Sequence, residues 1–468
     1  MSTIVFNEKQ NYALNRLMAG SNVFLTGDAG TGKTTVIQEF IKKAEGAGKN
    51  VLVTATTGIA AENIGHGALT VHRALEISIK ADTYEKEIKD RPDLLRAADI
   101  LIIDEISMCR FDLFNMVGKT IEFENESRMS DRLMMEEDAR EDVQLVVIGD
   151  FCQLPPVITA DDREKLLPMM YGVEYGKGGK YERGYAFMSE YWQRMNFEYI
   201  ELKEVCRQDN KQFQYILTDI KNGTNVYKAI EYLTQNQAPK IMQDAPFLVG
   251  RNAKADQINK AWLARLNPDT QKTFEAVVEG DVEESDLKAI GFAPRELTLN
   301  IGAKIMITVN DINGQFVNGT IGTVVDVISG IAPYVKVETT AGKTFLLPRY
   351  KKEIEKQVVE EKEEKVTVDG KEKTIIKKKL VRKKIGTFEQ FPLKLAWAIS
   401  IHKSQGQTFE KINIDPTCWE PGQFYVAVSR AKSVQGIRFI SPIKRGCVKA
   451  FSQADKKILL ESFGKVIA

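Results

Sequence analysis

The chain has 468 residues, more than one hydrophobic core holds, and its 43% hydrophobic and 28% charged residues are those of an ordinary soluble globular protein of two to four domains. A net charge of +1 argues against a broadly basic surface, and three histidines (His66, His72, His402) are too few for catalysis or metal binding built on several imidazoles. Cys109, Cys152, Cys206, Cys418 and Cys447 form no C-x-x-C pair, so neither a zinc site nor a disulfide framework is expected. No apolar run reaches the ~18 residues of a membrane span. The start, MSTIVFNEKQNYAL, has no basic stretch followed by an apolar one. The expectation is a cytoplasmic protein with free thiols and no membrane partner.

Residues 22–25 (NVFL) read as a short buried strand. It leads into Gly27, Asp28, Ala29, Gly30, Thr31, Gly32, Lys33 and Thr34, a full match to G-x-x-x-x-G-K-[ST]. Glycines let backbone N–H groups turn inward around an anion, Lys33 offers a point charge to the β- and γ-phosphates, and Thr34 offers a hydroxyl to Mg²⁺. Thr34 and Thr35 open a predicted helix, TTVIQEFIKKAEGAG, with its positive end at the phosphates. Residues 51–58 (VLVTATTG) read as another buried strand ending in small polar residues. Residues 100–103 (ILII) run into Asp104 and Glu105. In a phosphate-loop protein this strand end has Asp104 holding Mg²⁺ and Glu105 polarising the attacking water. Residues 144–148 (QLVVI) precede GDFCQLPP, where Gln153 is placed to hydrogen-bond that water or the γ-phosphate. Strands that alternate with helices and end in polar chemistry predict a parallel α/β sheet with its site at the carboxyl edge.

Residues 246–260 (PFLVGRNAKADQINK) read as strand, turn and helix, and residues 393–399, 411–415 and 436–440 as further strands. This predicts a second α/β unit without a phosphate loop, and a cleft between the two that opens and closes with hydrolysis. Arg207 and Arg430 are the candidates to reach from it to the γ-phosphoryl group. Asn318-Gly319 is a hairpin-turn signal. Residues 351–384 hold 13 basic and 8 acidic side chains among 34, acidic mostly first and basic last, and predict a long solvated β-hairpin. Residues 450–468 read as a short amphipathic helix packed on the second unit.

The set DEISM, GDFCQLPPV, CRQ, IHKSQGQT and YVAVSRA, in that order, resembles superfamily-one B DNA helicases of the Pif (petite integration frequency) type, related to the RecD and Dda groups. The resemblance runs from about residue 7 to residue 440. It implies an α/β fold with two RecA-like parallel-sheet domains around one ATP cleft, residues 1–200 forming the first and residues 201–302 and 392–468 the second. A small wedge insertion at about 74–97 and a small Src-homology-type β-barrel at 303–391 are implied too. By resemblance Gln10 reads the adenine. Thr56, Thr57, Gly58, Thr70, His72, Asn252, His402, Lys403, Ser404 and Gln405 follow the DNA, and Arg207 and Arg430 are the γ-phosphate arginines. Small polar groups suit tracking a backbone without reading bases. The implied activity is an ATP- and Mg²⁺-dependent helicase that moves 5′ to 3′ on single-stranded DNA and opens forked or tailed duplex, as a monomer. The alternative is a DNA-stimulated ATPase that displaces bound proteins without processive unwinding.

Overall fold

The computed structural model describes residues 6–57, 60–61, 64–77, 92–134, 140–204, 210–283, 287, 292–309, 316, 320–330, 333–339, 342–368, 371–405 and 407–463, and the side chains of these except 356–357 and 361–380. The first unit is a parallel sheet of six strands: β1 (Val23–Gly27), β2 (Val51–Ala55), β3 (Leu69–Thr70), β4 (Ile100–Asp104), β5 (Gln144–Ile148) and β6 (Glu198–Leu202), in the order β3-β2-β4-β5-β1-β6. The expected strands are all present. β1, β2 and β5 are buried along their whole length, as continuous apolar runs must be when helices cover both faces of a sheet. One face packs against helix Lys33–Gly46 through Val36, Ile37, Phe40, Ile41 and Ala44, spaced to form one stripe. On the other lies an aromatic cluster in which Phe24, Phe151, Trp192 and Phe187 meet edge to face.

The second unit is a four-stranded parallel sheet, ordered Ala398–Ser400, Phe247–Val249, Ile412–Ile414, Ile437–Phe439. Helices Lys211–Asn222, Val226–Asn236 and Gln423–Ser429 bury their apolar faces in its core. Leu154, from the loop after β5, is buried in that same core, so the first unit's loop is plugged into the second.

A five-stranded antiparallel sheet interrupts the second unit, and its edge strand Leu393–Leu395 carries it slightly past the expected boundary at residue 391. Asn318-Gly319 lies outside the described residues. Met306 pairs with Ile321, so the strands flanking it are not joined by a two-residue turn. The charged tract forms the two strands Tyr350–Val368 and Lys371–Gln390, paired from Tyr350↔Gln390 to Val368↔Lys371. At ~3.3 Å per residue this hairpin is about 60 Å long. Its register sets Glu360 opposite Lys379 and Glu361 opposite Lys378, which explains the order of acidic and basic residues. It lies along the short helix Asp93–Ala97 and pairs Arg382 with Glu45 at the surface. Of the expected wedge, residues 78–91 lie outside the described residues.

The C-terminal helix, Gln453–Glu461, corrects an expectation. It packs on the first unit, not the second: Phe451 meets Tyr185 edge to face with ring centroids 5.3 Å apart, and Phe463 stacks on Phe24 at 6.1 Å. Its aromatic flanks, Phe451 and Phe463, complete the aromatic cluster under β1. No helix among the described residues is long and apolar enough to cross a membrane.

Candidate active site

The carboxyl ends of β1, β2, β4 and β5 lie side by side, so chain segments distant in sequence converge at one edge. After β1 the phosphate loop folds tightly. Gly27 has φ +148° and its α-carbon approaches the Leu202 carbonyl so closely that a Cβ would sit 2.3 Å from that oxygen. Gly30 and Gly32 also take left-handed φ, and Thr31 Oγ1 donates to the Asp28 carbonyl at 2.9 Å. Lys33 Nζ donates to the carbonyls of Gly27 (2.8 Å) and Asp28 (3.1 Å), holding the loop around its own ammonium. Burial lowers the Lys33 pKa, and Asp150, Glu105 and Asp104 oppose that. Thr34 is exposed and Thr35 half-buried at the helix start.

Gln10 lies against this loop. Its Nε2 donates to the Thr31 carbonyl at 3.1 Å, and its Oε1 accepts the Asn7 N–H in a capping box that fixes helix Glu8–Met18.

Asp104 and Glu105 face the loop from the end of β4. Glu105 takes φ 53°, a left-handed conformation that turns its side chain away from that of Asp104, whose Oδ1 accepts the Glu105 N–H at 2.8 Å. Burial pushes both carboxyls well above the usual carboxylate range, and Asp104 raises Glu105 further. Lys33 and Arg430 pull Glu105 back down. Thr56 joins this pair to β2: its N–H donates to the Asp104 carbonyl at 3.2 Å and its Oγ1 to the Glu105 carbonyl at 3.0 Å. Thr57 Oγ1 accepts the Ala60 N–H at 3.2 Å. Gln153 is buried, its N–H donating to the Asp150 carbonyl at 2.8 Å.

The second unit closes over this edge. Gly422, in a left-handed turn, opens helix Gln423–Ser429, and a Cβ there would lie 2.1 Å from the Gln153 carbonyl oxygen. At the helix end Arg430 is buried. Its guanidinium donates to Val426 O (3.0 Å), Ser429 Oγ (3.0 Å) and, at 3.5 Å, to the carbonyls of Ser404 and Gln407. Ser404 is buried and donates to Ile401 O; Gln405 is buried and Lys403 exposed. His402 Nε2 is 3.7 Å from Glu420, and burial lowers its pKa. Asn252 opens helix Asn252–Leu263 and accepts from Ser400 Oγ. Thr70 and His72 sit at the short helix Val71–Ala74, away from the phosphate loop. Gly58 and Arg207 lie outside the described residues.

A family model described as PIF1-like helicase matches residues 5–231. An ATP-dependent DNA helicase Pif1 from Campylobacter jejuni is 28% identical over 455 residues, 92% of this chain and 91% of that one. The crystal structure of Bacteroides sp Pif1 in complex with ADP-AlF4 superposes with a TM-score of 0.77 at 28% identity, covering 99% of this chain and 98% of the other. Over almost its whole length the chain is similar to Pif1 helicases. A Bacteroides Pif1 bound to single-stranded DNA matches the same shares of the two chains, again at 28% identity, with a TM-score of 0.61. The protein is thus an ATP-hydrolysing DNA helicase, and its two parallel sheets are the RecA-like domains of that family.

At this site Thr34 and Asp104 would supply one hydroxyl and one carboxylate. That small set fits a magnesium ion held mainly by phosphate oxygens and water. Burial, the main cause of the pair's raised pKa, disfavours their charged forms, and a dication would favour those forms again. Sequence reasoning missed Lys221, which pairs with Asp28 across the cleft, and Tyr425, whose hydroxyl takes a hydrogen bond from the Ala29 backbone. It also missed the half-exposed Trp419, stacked with Arg251 at 5.2 Å beside Asn252. Lys221 and Trp419 belong to no spaced motif, and Tyr425 opens YVAVSRA, a motif read only for its arginine, so it is the fold that brings them to the site.

Proposed function

We propose that this helicase moves 5′ to 3′ along single-stranded DNA, opens forked or tailed duplex ahead of it, and draws each step from one ATP in the cleft. The direction rests on the family resemblance; the observation that supports coupling of ATP to DNA is that two of the DNA segments are one hydrogen bond from a hydrolysis group. Thr56 donates to the Asp104 and Glu105 backbone, and Arg430 donates to the Ser404 and Gln407 carbonyls. DNA held by either segment would therefore move a catalytic residue directly.

In this reading the loop from Gly27 to Thr35 cradles the triphosphate and Lys33 neutralises its outer groups. Gln10, packed on Gly32, borders the base. Glu105 takes up a proton from the attacking water, Gln153 orients that water, and Arg430, with Arg207, meets charge developing on the transferred phosphoryl group. Thr34 and Asp104 would hold Mg²⁺, which would supply positive charge to offset that of the phosphate oxygens. Thr57, Gly58, Thr70, His72, Asn252, His402, Lys403, Ser404 and Gln405 belong to the DNA path, and Lys403 is exposed for it. The lower similarity to the DNA-bound Bacteroides protein supports a change in how the two units sit when DNA enters. In the same reading the motor acts as a monomer with domains at residues 1–200, at 201–302 with 392–468, and at the inserted 303–391, the C-terminal helix docking on the first.

Streptavidin displacement tests the directional step. With ATP and Mg²⁺ the protein is expected to release streptavidin from a biotin at the 3′ end of a single strand and leave it on a 5′ biotin. Release from the 5′ end alone would reverse the direction. Release from neither, with ATP hydrolysis still stimulated by DNA, would leave a DNA-dependent ATPase without translocation.

A further inference from the structure

Helix Lys211–Asn222 belongs to the second unit, whose core takes Phe213, Ile216, Leu217 and Ile220. Its last turn carries Lys221 across the cleft. Lys221 Nζ pairs with Oδ1 of Asp28, the second residue of the phosphate loop, and lies 3.7 Å from Oδ2 of Asp150. These groups are well shielded: the side chains of Lys221 and Asp150 are 12% and 3% exposed. Asp150 Oδ1 accepts the Cys152 N–H at 3.0 Å, whereas Oδ2 has no hydrogen bond among the described residues and looks toward the Lys221 ammonium. Burial by itself disfavours the charge on Lys221, but Asp150 and the directly paired Asp28 help to outweigh it and keep the ammonium protonated.

The phosphate-loop pattern leaves position 28 open to any residue. An aspartate there puts a carboxylate within the loop that must receive a triphosphate, and Asp150 adds a second at the end of the neighbouring strand. At the low effective dielectric of such a cleft, two uncompensated carboxylates beside the phosphates would weaken nucleotide binding. The chain answers this with a cation from the opposite unit.

We propose that Lys221 is a positioning residue that neutralises Asp28 and Asp150 beside the phosphate groups, and so sets the affinity of the loop for ATP from the second unit's side of the cleft. The proposal rests on the reading of residues 27–35 as the nucleotide site. Lys221 touches no reacting atom, so its loss should weaken ground state and transition state alike: KM rises and kcat holds.

The test is steady-state ATP hydrolysis on saturating single-stranded DNA by the full chain. Lys221→Met keeps the side chain's length and removes its charge. Its KM for ATP is expected to rise on the order of tenfold, with kcat within about threefold of the parent. Lys221→Arg should restore the parent KM. Adding Asp28→Asn to Lys221→Met should bring KM back toward the parent value, because the carboxylate that needed the cation is gone. A merely structural lysine would give no such relief. Lys221→Gln gives the same readout should the methionine variant fail to fold. An unchanged KM in Lys221→Met, or a raised KM that Asp28→Asn does not relieve, overturns the proposal. Lys33→Ala, run alongside, separates the two levels. If it still turns over ATP, the nucleotide-site reading falls and this proposal with it. If it is inactive while Lys221→Met keeps the parent KM, the proposal alone falls.

Discussion

Arg430 is bound to its own unit before any nucleotide arrives. Its guanidinium serves the Ser404 and Gln407 carbonyls and still lowers the pKa of Glu105 across the cleft. Arg430→Ala therefore has two expected effects. Turnover falls by about 10³-fold or more while ATP analogues still bind, because a transition-state contact is lost. Thermal stability also falls, because buried carbonyls lose their donor at about 1–3 kcal/mol. Nucleotide titration alongside steady-state kinetics separates the two, and a normal turnover number would remove Arg430 from the γ-phosphate role. The acidic pair makes a further prediction. Asp104 and Glu105 have raised folded pKa values, so the nucleotide-free protein holds extra protons above the ordinary carboxylate range. Stability from this pair is greatest at low pH and is lost as pH rises toward neutrality. Activity runs the other way, since Glu105 must be ionised to act. kcat/KM is expected to fall as pH drops from about 7 to about 5, higher than a free carboxylate would titrate, and a flat profile over that range would contradict it. At this scale the sequence was most informative where spacing dictates chemistry. The phosphate loop and the acidic pair follow β1 and β4 as their patterns implied, and Gln153 is buried in the loop after β5. Lys221 and Trp419 did not stand out, because a lysine at a helix end and an isolated tryptophan carry no spacing signal.

Strand ends were legible for a physical reason. A parallel strand covered on both faces must be an unbroken apolar run, and all of the runs singled out are strands. The C-terminal helix was misplaced because its apolar stripe specifies that it packs, not against which unit. The seam between the units depends on one backbone position at the start of helix Gln423–Ser429. Gly422 has φ +74° and lets the helix approach the Cys152 and Gln153 carbonyls, with a would-be Cβ at 2.5 and 2.1 Å. Gly422→Ala must open this seam or strain it by about 1–3 kcal/mol. The expected result is a folded protein whose ATP turnover drops about tenfold as Gln153 shifts from the site. Parent-like turnover would show that this close approach is not part of the working cleft.

As a whole, the molecule joins two sheets through few but specific contacts: Leu154 plugged into the second core, Gly422 on the β5 loop, Lys221 on the phosphate loop, and the C-terminal aromatics returned to the first core. Two units tied this way can rotate about the nucleotide while each keeps its own core. The long hairpin adds a surface tie through Arg382 and Glu45, and an exposed pair of that kind contributes only about 0–1 kcal/mol. The architecture therefore assigns motion to the cleft. Direction of travel is the property that spacing, composition and fold leave to experiment. The decisive measurement is strand separation, with ATP and Mg²⁺, on two short duplexes that differ only in carrying a 5′ or a 3′ single-stranded tail. Unwinding of the 5′-tailed duplex alone is the predicted result; unwinding of the 3′-tailed duplex alone would contradict it.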